Sequence, residues 1–129
     1  MLENRTPFTL ASSQTTAGSA EEALLLSENG AAPAATIPVP TGTRMVITDI
    51  TVAALGATAR FKLQYETSSG FFTIGTVIIP GVVDEPLVTV NVGTGWVITG
   101  GPLVAARMRV RTLGGALPVA ATLNGYRES

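Results

Sequence analysis

Arg107, Arg109 and Arg111 recur at every second residue, and Arg60 and Lys62 share that spacing on another segment. In an extended chain, alternate residues face the same side. The three guanidinium groups therefore share one face, and Ala106, Met108 and Val110 take the other. A basic stripe of this kind can dock on an acidic protein surface or on phosphates. It can also be a solvated outer face neutralised by cross-strand acids such as Glu66. Few aromatic residues interleave the arginines, so single-stranded nucleic acid has no stacking platform. The balance favours a solvated face or a protein interface, with no nucleic-acid partner.

Other chemistry finds little material. The chain has no histidine and no cysteine, the residues that supply most proton shuttles, thiol nucleophiles and zinc ligands. Lys62 is the sole lysine, and its place on the outward side of an alternating segment suits a solvated charge better than a Ser-Lys nucleophile. Paired acids for sugar hydrolysis must come from Asp49, Glu66, Asp84, Glu85 and Glu128. Asp84 and Glu85 are adjacent on an expected loop, and no spaced motif supports calcium there. Asp49 interrupts an apolar segment and is expected to be buried and paired with an arginine. Gly93-x-Gly95 lacks the glycine a dinucleotide fingerprint needs at Ile98 and reads as a turn. Trp96, with Tyr65, Phe71 and Phe72, could stack on sugars, although a lone tryptophan beside Val97 and Ile98 more often packs. No catalytic residue, cofactor or metal ligand is expected.

The elements that must carry these residues are strands. Apolar residues make up 46% of the chain, aromatics 5% and charged residues 13%. A single domain of this length has a core built from Val, Ile, Leu and Ala, and a light core favours oligomerisation. Arg44 to Ala54 is apolar on both sides, as for a strand covered on both faces. Arg60 to Glu66 alternates strictly, with Phe61, Leu63 and Tyr65 inward. Ser69-Gly70 turns it into Phe71 to Ile79. Leu87 to Val92 and Trp96 to Thr99 are separate strands around Gly93-Thr94-Gly95. Gly114-Gly115 predicts a hairpin between Val104 to Leu113 and Ala116 to Asn124. The prolines at 38 and 40 exclude a central strand near residue 37. About eight short strands, with no long helical pattern, predict an all-β, jelly-roll-like sandwich of antiparallel strands, with an immunoglobulin-like sandwich as the alternative.

Residues 1–36 differ in texture. They are rich in Ala, Ser, Thr and Glu, with one apolar cluster at Ala23 to Leu26 that fits a short strand near 22–27 or one helical turn, the strand being favoured. This segment is expected to form an extended N-terminal arm, and residues 37–129 the β-sandwich domain. Charge divides similarly, −3 over residues 1–43 and +2 over residues 44–129, which suits an arm that docks on a neighbour or a solubilising leader. Nothing resembles a signal peptide, the apolar runs are too short and broken to span a bilayer, and the Asn4-Arg5-Thr6 sequon reads as chance. No membrane partner is expected.

The stretch from Ile37 to Tyr126 resembles small β-sandwich proteins of tailed bacteriophages, and three segments carry the likeness. They are Val39-Pro40-Thr41-Gly42-Thr43-Arg44-Met45-Val46-Ile47-Thr48-Asp49-Ile50, Gly100-Gly101-Pro102 leading into Arg107-Met108-Arg109-Val110, and Thr122-Leu123-Asn124-Gly125-Tyr126. The resemblance covers about two-thirds of the chain and implies a jelly-roll capsid decoration or cement protein. It also implies a homotrimer, the major capsid protein as partner, and the outer capsid surface of the virion as location after synthesis in the host cytoplasm. It brings no catalytic residues. The docking residues suggested are Arg107, Arg109, Arg111, Arg60 and Lys62. A phage tail or head-fibre module, or a carbohydrate-binding jelly roll, are the rival readings.

Overall fold

The computed structural model describes residues 4–54, 58–79 and 87–129. The described secondary structure is all strand. Seven long strands are β1 (Arg5–Thr15), β5 (Arg44–Ala54), β6 (Ala59–Thr67), β7 (Gly70–Ile79), β8 (Leu87–Thr99), β9 (Ala105–Thr112) and β10 (Pro118–Glu128). Three short ones of two residues are β2 (Glu22–Ala23), β3 (Ser27–Glu28) and β4 (Ile37–Pro38). The first sheet runs β3-β1-β10-β5-β8. The second runs β2-β9-β6-β7, with β4 sharing the edge of β9 that β2 uses. All pairings are antiparallel.

The pairing is nested. β1 meets β10, β2 and β4 meet β9, β5 meets β8, and β6 meets β7. The chain is thus one long hairpin, closed at the β6–β7 turn and rolled so that β10 also pairs β5 and β9 also pairs β6. Between the sheets lies a core of Phe8, Leu10, Leu24, Leu26, Met45, Ile47, Ile50, Val52, Phe61, Leu63, Met108, Val110 and Leu123, with smaller neighbours. Burial alternates along β9 and most of β6, as period-2 patterning requires.

Several expectations from sequence meet a different arrangement. The expected arm is laid into the body: β1 pairs β10 along its whole length, and Leu10, Leu24 and Leu26 are fully buried. Ser12 alternates inward with Phe8 and Leu10, so β1 buries one face with only two large apolar groups. The 22–27 segment is extended, with β2 and a bridge from Leu26 to Ala34, and forms no helical turn. Pro38 sits at a sheet edge, where no ladder donor is lost.

Gly93-Thr94-Gly95 does not separate two strands. Ile47 pairs Trp96 while Asp49 pairs Asn91, so Thr48 alone faces Val92 to Gly95, and β8 continues past a bulge. Positive φ at Gly93 (67°) and Gly95 (104°) accommodates the extra residues. The same bulge reverses the phase of β5. Met45 and Ile47 point inward before it, Ile50 and Val52 after it, and this explains the two-faced apolar pattern. Gly114-Gly115 makes no hairpin either, because β9 and β10 belong to different sheets. Thr112, fully buried, donates its hydroxyl to Gly115 O at 2.5 Å and holds this inter-sheet loop. The β6–β7 hairpin is as expected.

Candidate functional site

The outward face of β9–β6–β7 carries the basic stripe. Register places its residues directly opposite one another: Arg60 faces Arg111, Lys62 faces Arg109, and Gln64 faces Arg107. All five proposed cations therefore lie on one sheet face. Like charges directly opposite destabilise a sheet unless something compensates them, and each of the three rows treats this differently.

The middle row is neutralised by Glu21, from the connection between β1 and β2. Its carboxylate lies 3.2 Å from Lys62 Nζ and 3.5 Å from Arg109 Nε, and an Arg109 amino group donates to the Glu21 carbonyl at 3.3 Å. Burial pushes the Glu21 carboxyl up, but the hydrogen bond and charge of Lys62, joined by Arg109, outweigh it and hold the group below its ordinary range. The expected neutraliser, Glu66, makes no ion pair among the described residues. It acts on Arg107 only through its field.

Arg107 occupies the next row. Its Nε donates to Gln64 Oε1 at 2.8 Å, Gln64 Nε2 donates to Thr73 Oγ1 at 3.0 Å, and its guanidinium lies over the Phe71 ring. Burial, then the Arg109 charge, push the Arg107 guanidinium below its ordinary value, against the opposing fields of Glu66 and Glu21.

The last row, Arg60 and Arg111, has no acidic partner among the described residues. Instead a cavity of about 220 Å³ opens there, lined by Thr58, Arg60, Ile78, Arg111 and Leu113. Ile78 and Leu113 are 57% and 63% exposed, so an apolar lip flanks two cations.

Asp49 proves half-buried and finds no arginine. Its carboxylate accepts from Asn124 Nδ2 at 2.9 Å and Thr48 Oγ1 at 3.1 Å, on the outward face of the other sheet. Buried pairing belongs instead to Glu128, whose side chain is 4% exposed beside Arg44 and Arg5. Trp96 packs inward, its ring so close to Gly75 that a Cβ there would lie 2.3 Å from it. The other aromatics lie apart: Tyr65 stacks on Phe72 at 5.5 Å, and Phe71 sits under Arg107. Asp84 and Glu85 lie outside the described residues. Among the described residues no three acids gather to hold a metal.

Compared with known proteins, the chain matches no family model and no curated protein.

Proposed function

We propose that this chain is a structural virion protein, a homotrimeric jelly-roll cement protein that docks on the outer surface of a tailed-phage capsid and stabilises the shell. The nested pairing of β1 with β10, β2 and β4 with β9, β5 with β8, and β6 with β7 supports the jelly-roll part of this reading.

One observation carries the reading. Parts of the three segments that resemble the phage proteins, far apart in sequence, meet at one end of the first sheet, while Arg107 to Val110 lie in β9 of the second sheet. Gly100 N donates to Thr43 O at 2.8 Å and Gly101 N to Val39 O at 3.0 Å, tying the second segment to the first. A Cβ on Gly100 would lie 1.9 Å from Pro40 O, and one on Gly125 would lie 1.9 Å from Val46 O. Glycine at both positions lets these backbones touch. The entry segment, the Gly100-Gly101 turn and the Asn124-Gly125-Tyr126 ending thus pack together, which supports the reading.

A cement protein acts by mass action. Binding the assembled lattice more tightly than separate subunits stabilises the lattice, and several copies held together add avidity to weak contacts.

The test is to mix the purified chain with capsids of the phage that encodes it, stripped of this protein, and to sediment them. Co-sedimentation with a raised shell melting temperature is expected. A chain that stays in solution, or one that imaging finds at the tail, overturns the reading.

A further inference from the structure

We infer that the cavity between Arg60 and Arg111 receives a carboxylate carried beside an apolar side chain, on an extended acidic segment of a partner protein. The chemistry of the pocket stands without the virion reading. Where that reading holds, the segment belongs to the capsid subunit.

The model for this contact is in the molecule itself. One row along the same ladder, Lys62 and Arg109 face each other across the same pair of strands, and the Glu21 carboxylate settles between them at 3.2 and 3.5 Å. The spacing of β6 and β9 therefore suits one carboxylate bridging two facing cations. Arg60 and Arg111 repeat the geometry without an acid among the described residues. Planar guanidinium groups also make the stronger, bidentate contact to a carboxylate.

The surroundings select what carries the charge. Ile78 and Leu113 stand exposed on either side of the two arginines, and Thr58 completes the wall. A bare anion would leave this apolar lip wet, whereas a Glu or Asp flanked by Leu, Ile or Val covers it while the carboxylate reaches the arginines. Charge complementarity thus points to an acidic, partly apolar peptide rather than to free phosphate or nucleic acid.

The experiment uses the full chain, isotope-labelled, at low salt, titrated with the blocked peptide acetyl-Leu-Glu-Leu-amide and followed by NMR. Expected are shifts of the Arg60 and Arg111 side-chain N–H signals together with the Ile78 and Leu113 methyls. Acetyl-Leu-Gln-Leu-amide should bind about tenfold more weakly, the scale of one charge-assisted contact. Arg111→Gln and, separately, Arg60→Gln should each weaken the Glu peptide about tenfold while circular dichroism and melting temperature stay put. Arg111 is exposed, so its variant serves even if Arg60→Gln perturbs folding. Glu21→Gln should open a second site, with new shifts at Lys62 and Arg109.

Equal binding of the Gln and Glu peptides overturns the inference, as does absence of any shift at millimolar peptide. Inorganic phosphate saturating the same signals at lower concentration than the Glu peptide also overturns it. Capsid co-sedimentation is a separate readout, so failure of the peptide experiment leaves the virion reading standing, and the reverse holds too.

Discussion

The two outward faces of the sandwich follow the same alternation and use their polar residues differently. On the first sheet, rows of small and uncharged groups are stitched sideways. Thr9 Oγ1 donates to Asn124 Oδ1 at 2.9 Å, Asn124 Nδ2 donates to Asp49 at 2.9 Å, and Thr51 and Thr89 share a hydroxyl contact at 3.0 Å. Glu128 with Arg44 and Arg5 forms an ionic cluster that closes on itself at the end of the sheet. On the second sheet, cations face cations, and among the described residues compensation comes row by row until it stops at Arg60 and Arg111. A face whose polar groups are spent internally stabilises the fold. A face with a surplus at one end has something left for a partner.

Five variants separate these roles. Arg44→Met should have the largest effect, about 3 kcal/mol of lost stability, because it leaves Glu128 nearly hidden from water with only Arg5 at 3.8 Å. Urea titration measures the loss, and a much smaller one would mean that this cluster is solvent-relaxed like the opposite face. Next comes Arg60→Glu with Arg111→Glu, expected to cut capsid binding at least tenfold, a change of about 1.4 kcal/mol. Thr51→Glu with Thr122→Glu on the first sheet should leave binding unchanged. The opposite result in co-sedimentation would transfer docking to the first sheet.

Glu21→Gln should cost about 0.5 kcal/mol at neutral pH, an exposed-pair magnitude. The folded Glu21 ionises below its unfolded value, so its contribution is present above the ordinary carboxyl range and fades as pH falls through the lower folded value. Denaturation curves of the two proteins should therefore converge in acid, and a difference that persists there would assign Glu21 a packing role. The smallest change is Thr89→Val, about 0.3 kcal/mol for one exposed cross-strand hydroxyl pair, read from the thermal midpoint.

How much of this was legible in sequence depends on how far each signal travels along the chain. The β6 alternation, the β6–β7 turn and the shared face of Arg107, Arg109 and Arg111 are local, and they read directly. β1 was hidden because Thr9, Ala11, Ser12 and Ser13 give its apolar alternation little contrast. Its partner strand is also distant, with Thr9 and Asn124 lying 115 residues apart. Two glycine pairs that share a turn grammar did different work, one bulging within β8 and one crossing between sheets. The pocket at Arg60 and Arg111 required the register that sets these two residues against each other, and the Glu21 site required knowing that its connection passes over Lys62. Periodicity supplies the face of a residue but never its neighbour on the next strand.

The nested pairing also bears on how the molecule is made. β1 leaves the ribosome well before its full-length partner β10, and Asn4 and Ser129 exchange backbone hydrogen bonds only once both have emerged. Until then Phe8 and Leu10 wait beside an unpaired strand edge. Such late, long-range closure makes for slow folding and a window in which copies of the nascent chain can stick to one another. The polar texture of β1, which concealed it in the sequence, keeps that waiting strand soluble.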